Sequence, residues 1–487
     1  MIGDTYLLRR SWPEKSIDLL LKACVLPMAR ARSAWARWLA GRKFDDVSWH
    51  EIRLLSALST RMAELDPHSP FRPRIEGLAR SHWTRTQLAL RESAEAIEIL
   101  DHAGIRYLLI KGAAQYAGGL AGKIRRILAD IDILVPPEQA ARAIDELVSA
   151  GWSGANGESA GYLRAVGDIR FSINLLKGRY GEVDLHRTAF HYRRADRTAD
   201  DLLWASAEAG SLNGQPVTVP SPAVNVLITL AHATASQGGD WALDVAKRIK
   251  HQTIDWDTLA ELAARLRLNL PVRAGLLYLQ EQLEIPVPAE VVQRLANAPS
   301  DWADKLKLWS NVRERDERSL GEKIVNRMTN RVLARRGYEL PVSDRTRLAV
   351  IRPQALAALA FFRTSRTITL RPEATDWSTH AILALSSGNA ASKLVIELEF
   401  HVPRRSRRIY FDLSRGRKAF ARIKTRAGGS MAGAMKRIAA VVSVPPGGNA
   451  EISIEACPTQ FVRPVAPGLP SDVTDALSFR LVRAATI

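Results

Sequence analysis

Cysteine is scarce: Cys24 and Cys457 are the only two in 487 residues. That excludes a disulfide framework, and their separation matches no metal-ligand spacing. Both read as buried free thiols in a reducing compartment. The opening Met1-Ile-Gly-Asp-Thr-Tyr lacks a basic flank followed by an apolar core, so no secretory signal is expected. The longest apolar stretch, around Leu348 to Phe362, is interrupted by Arg352 and Pro353 and is too short for a spanning helix. A cytoplasmic location with no membrane span is the expectation. No Gly-rich P-loop, zinc ligand set or Ser-His-Asp arrangement stands out. Internal repeats and long low-complexity tracts are missing too.

Negative charge is also in short supply. Lys and Arg number 69 against 51 Asp and Glu, giving a net charge of +18 and a pI near 10.2. Residues 345–487 hold 22 Lys and Arg against 9 Asp and Glu, so +13 of the +18 lies there. Such a bias favours anionic partners, among them nucleic acid, anionic glycans and nucleotides, although an arginine-rich proteome produces it without a function. The densest basic feature is Arg404-Arg405-Ser-Arg407-Arg408, with Tyr410 and Arg415-Gly-Arg417-Lys418 close by. It reads either as a polyanion-binding edge at a β turn or as a solvated loop.

The chain is long enough for two to four domains. Residues 1–78 read as a helical region, with periodic segments at Ser16–Ala40 and Trp49–Glu64, closed by a Pro-rich stretch ending at Pro73. Residues 79–220 read as an α/β core. A long amphipathic helix over Gly77–Ala103 precedes a strand at Ile105–Ile110, a short helix at Gly112–Leu120 and a strand ending at Val135. Pro136-Pro137 starts a further helix, and strands are expected at Tyr162–Val166, Ile169–Leu175 and Glu182–Arg187. Residues 221–340 are helical again, with Ser221-Pro222 as an N-cap and first turn; the last helix, Ser319–Arg336, is basic and amphipathic. From 345 to 487 short alternating runs separated by turn clusters predict an all-β sandwich.

What is present, and uncommon, is Leu128-Ala-Asp130-Ile-Asp132-Ile-Leu-Val135. Alternation on a strand puts both carboxylates on one face, and the flanking apolar residues exclude a solvated acidic run. A buried like-charged pair needs neutralising, and a divalent cation is the natural candidate. Two further segments belong with it. Lys111-Gly112 stands at a strand-to-helix junction, where a phosphate can approach the backbone beside a compact positive charge. Val183-Asp184-Leu-His186 brings Asp184 and His186 to one face of a later strand, where a third carboxylate completes a metal site. Arg126 either contacts a phosphate or pairs with a carboxylate. His232, Asp240 and Asp244 follow near a Gly238-Gly239 turn, and read more simply as surface and capping residues.

In that order, Lys111-Gly112, Arg126-x3-Asp130-Ile-Asp132 and Asp184-Leu-His186 resemble the DNA polymerase β-like nucleotidyltransferase superfamily, and more closely its largely uncharacterised bacterial branch. The resemblance covers roughly residues 45–270, leaves the C-terminal β region outside, and implies a small mixed sheet flanked by helices. The fold class expected is therefore multidomain α+β with a C-terminal sandwich. It implies that Asp130 and Asp132 bind Mg²⁺ (or Mn²⁺) with the nucleoside triphosphate. Asp184 would be the third carboxylate and base. Lys111, Gly112, Arg126 and His186 would hold the nucleotide. The wider superfamily carries Gly-Ser where this chain has Lys111-Gly112, which leaves the triphosphate-binding mode open. The reaction implied is transfer of a nucleoside monophosphate to a hydroxyl of a protein, sugar, small molecule or RNA end, releasing pyrophosphate. The alternatives are a catalytically degenerate nucleotidyltransferase fold, or a glycan- or polyanion-binding protein acting through its C-terminal β domain.

Overall fold

A computed structural model of the chain describes residues 4–120, 127–128, 130–233, 238–312, 319–353, 366–367, 377–385, 393–401, 408–426, 435–445, 451–458 and 479–486. Arg126, Arg404, Arg405 and Arg407 of the sequence reading lie outside them. The described residues fall into two compact units. One comprises residues 1–98, 106–135 and 180–341, and the other 99–105, 136–179 and 342–487. No helix among the described residues is long and apolar enough to cross a membrane.

The first unit is mostly helical and carries three strands that matter for the site. Helix α1 (Arg72–His102) leads to strand β1 (Leu108–Leu109) and the short helix α2 (Lys111–Gln115). Strand β2 (Ile131–Leu134) pairs antiparallel with β1 and parallel with β3 (Gly181–His186). In that register Asp132 lies opposite Asp184 and Leu134 opposite His186. All four β2 residues are buried, so Asp132 is a carboxylate set inside an apolar strand.

Three polar residues of α1 hold these strands in place. Thr86, fully buried, accepts the Leu128 N–H at 3.0 Å just before β2. Two turns further on, Ser93 accepts the Glu182 N–H at 3.1 Å and donates to the Glu182 carbonyl at 3.2 Å. Beside it Glu92 accepts the N–H groups of Tyr180 (2.6 Å) and Gly181 (2.9 Å), where β3 begins. Buried backbone groups left unpaired would each cost about 1–3 kcal/mol, so one helix face fixes both aspartate strands.

After β3 the chain forms a hairpin, Ala207–Leu212 with Gln215–Pro220, turning at Asn213-Gly214 with positive φ at both residues (51° and 87°), as a two-residue turn of this hand requires. Helix α3 (Pro222–Ala233) follows, and later α4 (Trp302–Asn311) and α5 (Leu320–Arg335). Their apolar faces join Leu19, Trp35, Leu54 and other N-terminal residues in one large core.

The second unit has a two-sheet core. Strands β4 (His380–Ala384), β5 (Lys393–His401), β6 (Arg408–Arg415), β7 (Lys418–Arg426), β8 (Met435–Ser443), β9 (Glu451–Pro458) and β10 (Phe479–Thr486) make up most of it. One sheet runs 349–351, β7, β6, β9, β4, and the other 366–367, β10, β5, β8. Phe400 from one and Phe411 from the other meet at 5.2 Å between ring centroids inside a shared apolar core.

One sequence expectation is corrected here, and one strand is added. Tyr162–Val166 is not a strand but part of a helix over Ala160–Val166, because Ser159 caps it by accepting the Tyr162 N–H at 3.1 Å. Its Gly161 is needed for contact with the sheet: a Cβ there would collide with Ser414 Oγ. Lys418–Arg426 is a strand that the sequence reading did not include. Its Lys and Arg residues mask an alternation in which Ala419, Ala421, Ile423 and Thr425 are buried. The helix is anchored to the sheet by charge. Buried Asp412 takes a bidentate pair from Arg422 (2.5 and 2.7 Å) and a hydrogen bond from Ser159 (2.6 Å), and the Arg422 guanidinium lies 3.5 Å from the Tyr162 ring centre.

Candidate functional site

Lys111 follows β1 after one residue, Ile110, whose N–H donates to the Asp132 carbonyl at 3.0 Å. Its backbone is left-handed, with φ of 53°, a conformation that costs a non-glycine residue about 1–2 kcal/mol. Asn225 of α3 offsets that cost. The Lys111 N–H donates to Asn225 Oδ1 at 2.8 Å, and Asn225 Nδ2 donates to the Lys111 carbonyl at 3.1 Å. Asn225 is fully buried in an otherwise apolar stretch of helix. The clamp turns the lysine side chain toward the aspartate strands.

There Lys111 Nζ lies 2.6 Å from Asp132 Oδ1 and 3.3 Å from His186 Nε2. His186 Nε2 in turn is 3.0 Å from Asp132 Oδ1 and 2.9 Å from Asp184 Oδ2. Asp132 and His186 are buried and Asp184 nearly so. Ligand atoms of Asp132, Asp184 and His186 all lie within 4.8 Å of one another. Two carboxylate oxygens and an imidazole nitrogen suit a divalent cation. The Lys111 ammonium, seated at the edge of that donor set, acts as a stand-in for one.

The protonation states follow from this packing. Burial opposes the charged form of every member, yet the charges sustain one another. For Lys111, Asp132 and then Asp184 outweigh burial and raise its pKa, with Asp130 adding to the effect. Asp132 is held below the usual carboxylate range, because Lys111 and the His186 hydrogen bond overcome burial and the repulsion from Asp184. His186 is raised, since Asp184 and the hydrogen bonds to both carboxylates exceed burial and the opposing charge of Lys111. The imidazole is thus a donor at Nε2 here. A metal at that nitrogen would displace its proton.

Of the residues singled out from sequence, Lys111, Asp132, Asp184 and His186 come together. Gly112 is buried in the first turn of α2, next to Lys111. Asp130 is half-buried one residue before β2 and acts on Lys111 by its charge, but is outside the three-ligand group. His232 lies behind His186, with ring centroids 6.2 Å apart, and its Nε2 donates to the Ala189 carbonyl at 2.8 Å. Asp240 does not face this group; it forms an ion pair with Arg53 at 2.6 Å. Asp244 is buried on the helix Asp240–His251. Asn225 and Thr86 escaped the sequence reading, although a lone Asn inside Val224-Asn-Val-Leu-Ile is itself a sign of a buried polar contact.

Residues 47–284 match a family model described as an uncharacterised nucleotidyltransferase. No curated protein matches the chain. Among solved structures, an antigenic nucleotidyltransferase-like protein from Paracoccidioides brasiliensis aligns over 42% of this chain and 97% of its own, at 17% identity and a TM-score of 0.27.

Proposed function

We propose, taking residues 47–284 as a nucleotidyltransferase-family segment, that this chain transfers a nucleoside monophosphate from a nucleoside triphosphate to a hydroxyl acceptor. The observation that carries the reading is the convergence of Asp132, Asp184 and His186, with the Lys111 ammonium seated beside Asp132. Asp132, Asp184 and His186 would hold Mg²⁺ or Mn²⁺, with Asp130 just before β2 adding negative charge beside them. When bound, such an ion polarises the α-phosphate and steadies the attacking and leaving oxygens.

The chain's own residues do the rest. Lys111 leaves Asp132 for the phosphate oxygens, within reach of its flexible stem. Gly112 lets the phosphate approach the backbone, and Arg126 adds a second cation. Asp184 accepts the proton of the acceptor hydroxyl. The acceptor oxygen bonds to the α-phosphorus as the bond to the β-phosphate oxygen breaks, and pyrophosphate departs. A protein side chain, a sugar, a small molecule or an RNA end all supply such a hydroxyl.

One observation favours a second reading, a nucleotide- or partner-binding protein without catalysis. The ammonium already pairs with Asp132 at 2.6 Å, so that buried carboxylate has a counter-charge without a metal. The deciding experiment incubates the purified chain with Mg²⁺ or Mn²⁺ and each α-labelled nucleoside triphosphate, with and without host lysate. The Asp132→Ala/Asp184→Ala variant runs beside it. Label transfer lost in the variant supports the transferase and identifies the acceptor. Binding of nucleotide without transfer under every condition supports the second reading.

A further inference from the structure

Helix α5 has an inner and an outer face of opposite character. Inward, Glu322, Thr329 and Leu333 are buried, and Asn326 and Asn330 accept hydrogen bonds from Lys307 of α4 at 3.0 and 2.8 Å. Outward, Leu320, Ile324 and Met328 are 75%, 53% and 61% exposed. Their spacing of four places them in one stripe along the helix. Lys323, Arg327, Arg331 and Arg335 share the exposed arc. None of these four cations has an ion pair among the described residues. The helix's sole acidic residue, Glu322, faces inward, where it caps Ser319 and pairs with Arg10 at 2.5 Å. At the C-terminal end Arg336 lies over the ring of Trp302, itself 54% exposed.

A solvated helix face has no use for three large apolar side chains in a row, and a core-facing one has no place for four unpaired cations. Their combination is that of a helix lying in a polar–apolar boundary, with aliphatic side chains inserted and long cationic ones reaching to anionic groups. A second copy of the chain is disfavoured as the occupant, because it would bring the same four cations against these four. Nucleic acid would satisfy the cations but leave the apolar stripe in water.

We propose that the outer face of α5 docks the protein peripherally on an anionic lipid bilayer. Leu320, Ile324 and Met328 enter the headgroup–acyl boundary, while Lys323, Arg327, Arg331 and Arg335 engage anionic headgroups. This surface is independent of the nucleotidyltransferase reading.

Co-sedimentation of the full chain with phosphatidylcholine vesicles, with and without phosphatidylserine, tests it. Binding is expected only with phosphatidylserine and weakens as salt rises. It falls at least tenfold in both Leu320→Ser/Ile324→Ser/Met328→Ser and Arg327→Gln/Arg331→Gln. All the replaced side chains are exposed, so the variants are expected to keep the wild-type melting transition, which serves as the control for folding. Failure of the wild-type chain to sediment with phosphatidylserine vesicles at low salt overturns the proposal. So does binding that the cation variant loses and the apolar variant keeps, which would mark simple attraction of a basic protein. A dimer by light scattering that the apolar variant abolishes overturns it in favour of a second copy as the occupant.

Discussion

Replacing Lys111 with methionine removes the ammonium while keeping an unbranched stem of similar size. In the folded chain that charge sits 2.6 Å from Asp132 Oδ1, with Asp132 7% exposed. At an effective dielectric near 20, opposite unit charges at that distance attract by about 6 kcal/mol. Much of this is cancelled, because methionine is also spared the cost of burying an ammonium. Removing one partner of a buried pair typically costs about 3–5 kcal/mol. The Lys111 side chain is 22% exposed and His186 still bonds to Asp132, which argues for the lower end, about 3 kcal/mol. Divalent metal should reverse the loss, since it binds the folded donor set without competing against the ammonium. A ligand at a hundred times its dissociation constant adds about 2.7 kcal/mol. Urea unfolding followed by tryptophan fluorescence, in chelator and in saturating Mn²⁺, measures both quantities. Lys111→Met is expected to be less stable than wild type in chelator and to gain more from Mn²⁺. Equal stability in chelator, or an equal metal increment in both proteins, would show that the ammonium does not share its seat with a cation.

Other expectations follow from the same packing. Asn225→Ala removes both hydrogen bonds that hold Lys111 in its left-handed conformation, and should cost about 2–3 kcal/mol in the same unfolding assay. A loss well under about 1 kcal/mol would refute the claim that the Asn225 clamp holds that backbone. His82, 6% exposed, has its pKa lowered to about 4 by burial and by the charges of Arg53 and Arg85. The unfolded chain therefore binds this proton first as pH falls below about 6.5, and stability declines until about pH 4, by about 3 kcal/mol in all. His82→Phe should flatten that acid limb, and an unchanged slope would exclude His82 as its source. Asp412→Ala strands the buried Arg422 guanidinium and should cost about 3–5 kcal/mol, whereas Asp412→Leu/Arg422→Met should lose much less. Similar losses in the two variants would mean that packing rather than charge dominates there.

Much of the site was legible because its chemistry is local. Asp184-Leu-His186 is a strand alternation that puts both side chains on one face, and the same pattern in Asp130-Ile-Asp132 points to Asp132, although the strand itself begins only at Ile131. Lys111-Gly112 stands at a strand-to-helix junction that its near neighbours mark, although its left-handed conformation is held from afar by Asn225. The long helix α1 and most C-terminal strands also follow from periodicity and turn residues within a few positions. Other features belong to tertiary structure alone. That Asp132 stands opposite Asp184 rests on the parallel register of two strands some fifty residues apart, set by Thr86, Glu92 and Ser93 on one helix. The choice of His186, rather than Asp130, as the third member of the convergent group comes from distances between side chains. Asn225 acts from more than a hundred positions away. Helix Ala160–Val166 reads as a strand because its apolar residues do not show their period in seven positions; its cap and its seat on a sheet decide it. Composition and spacing by themselves determined which groups are candidates for the chemistry. Only the fold decided which of them meet, because the free energy of burying a charge depends on partners that the chain brings together from a distance.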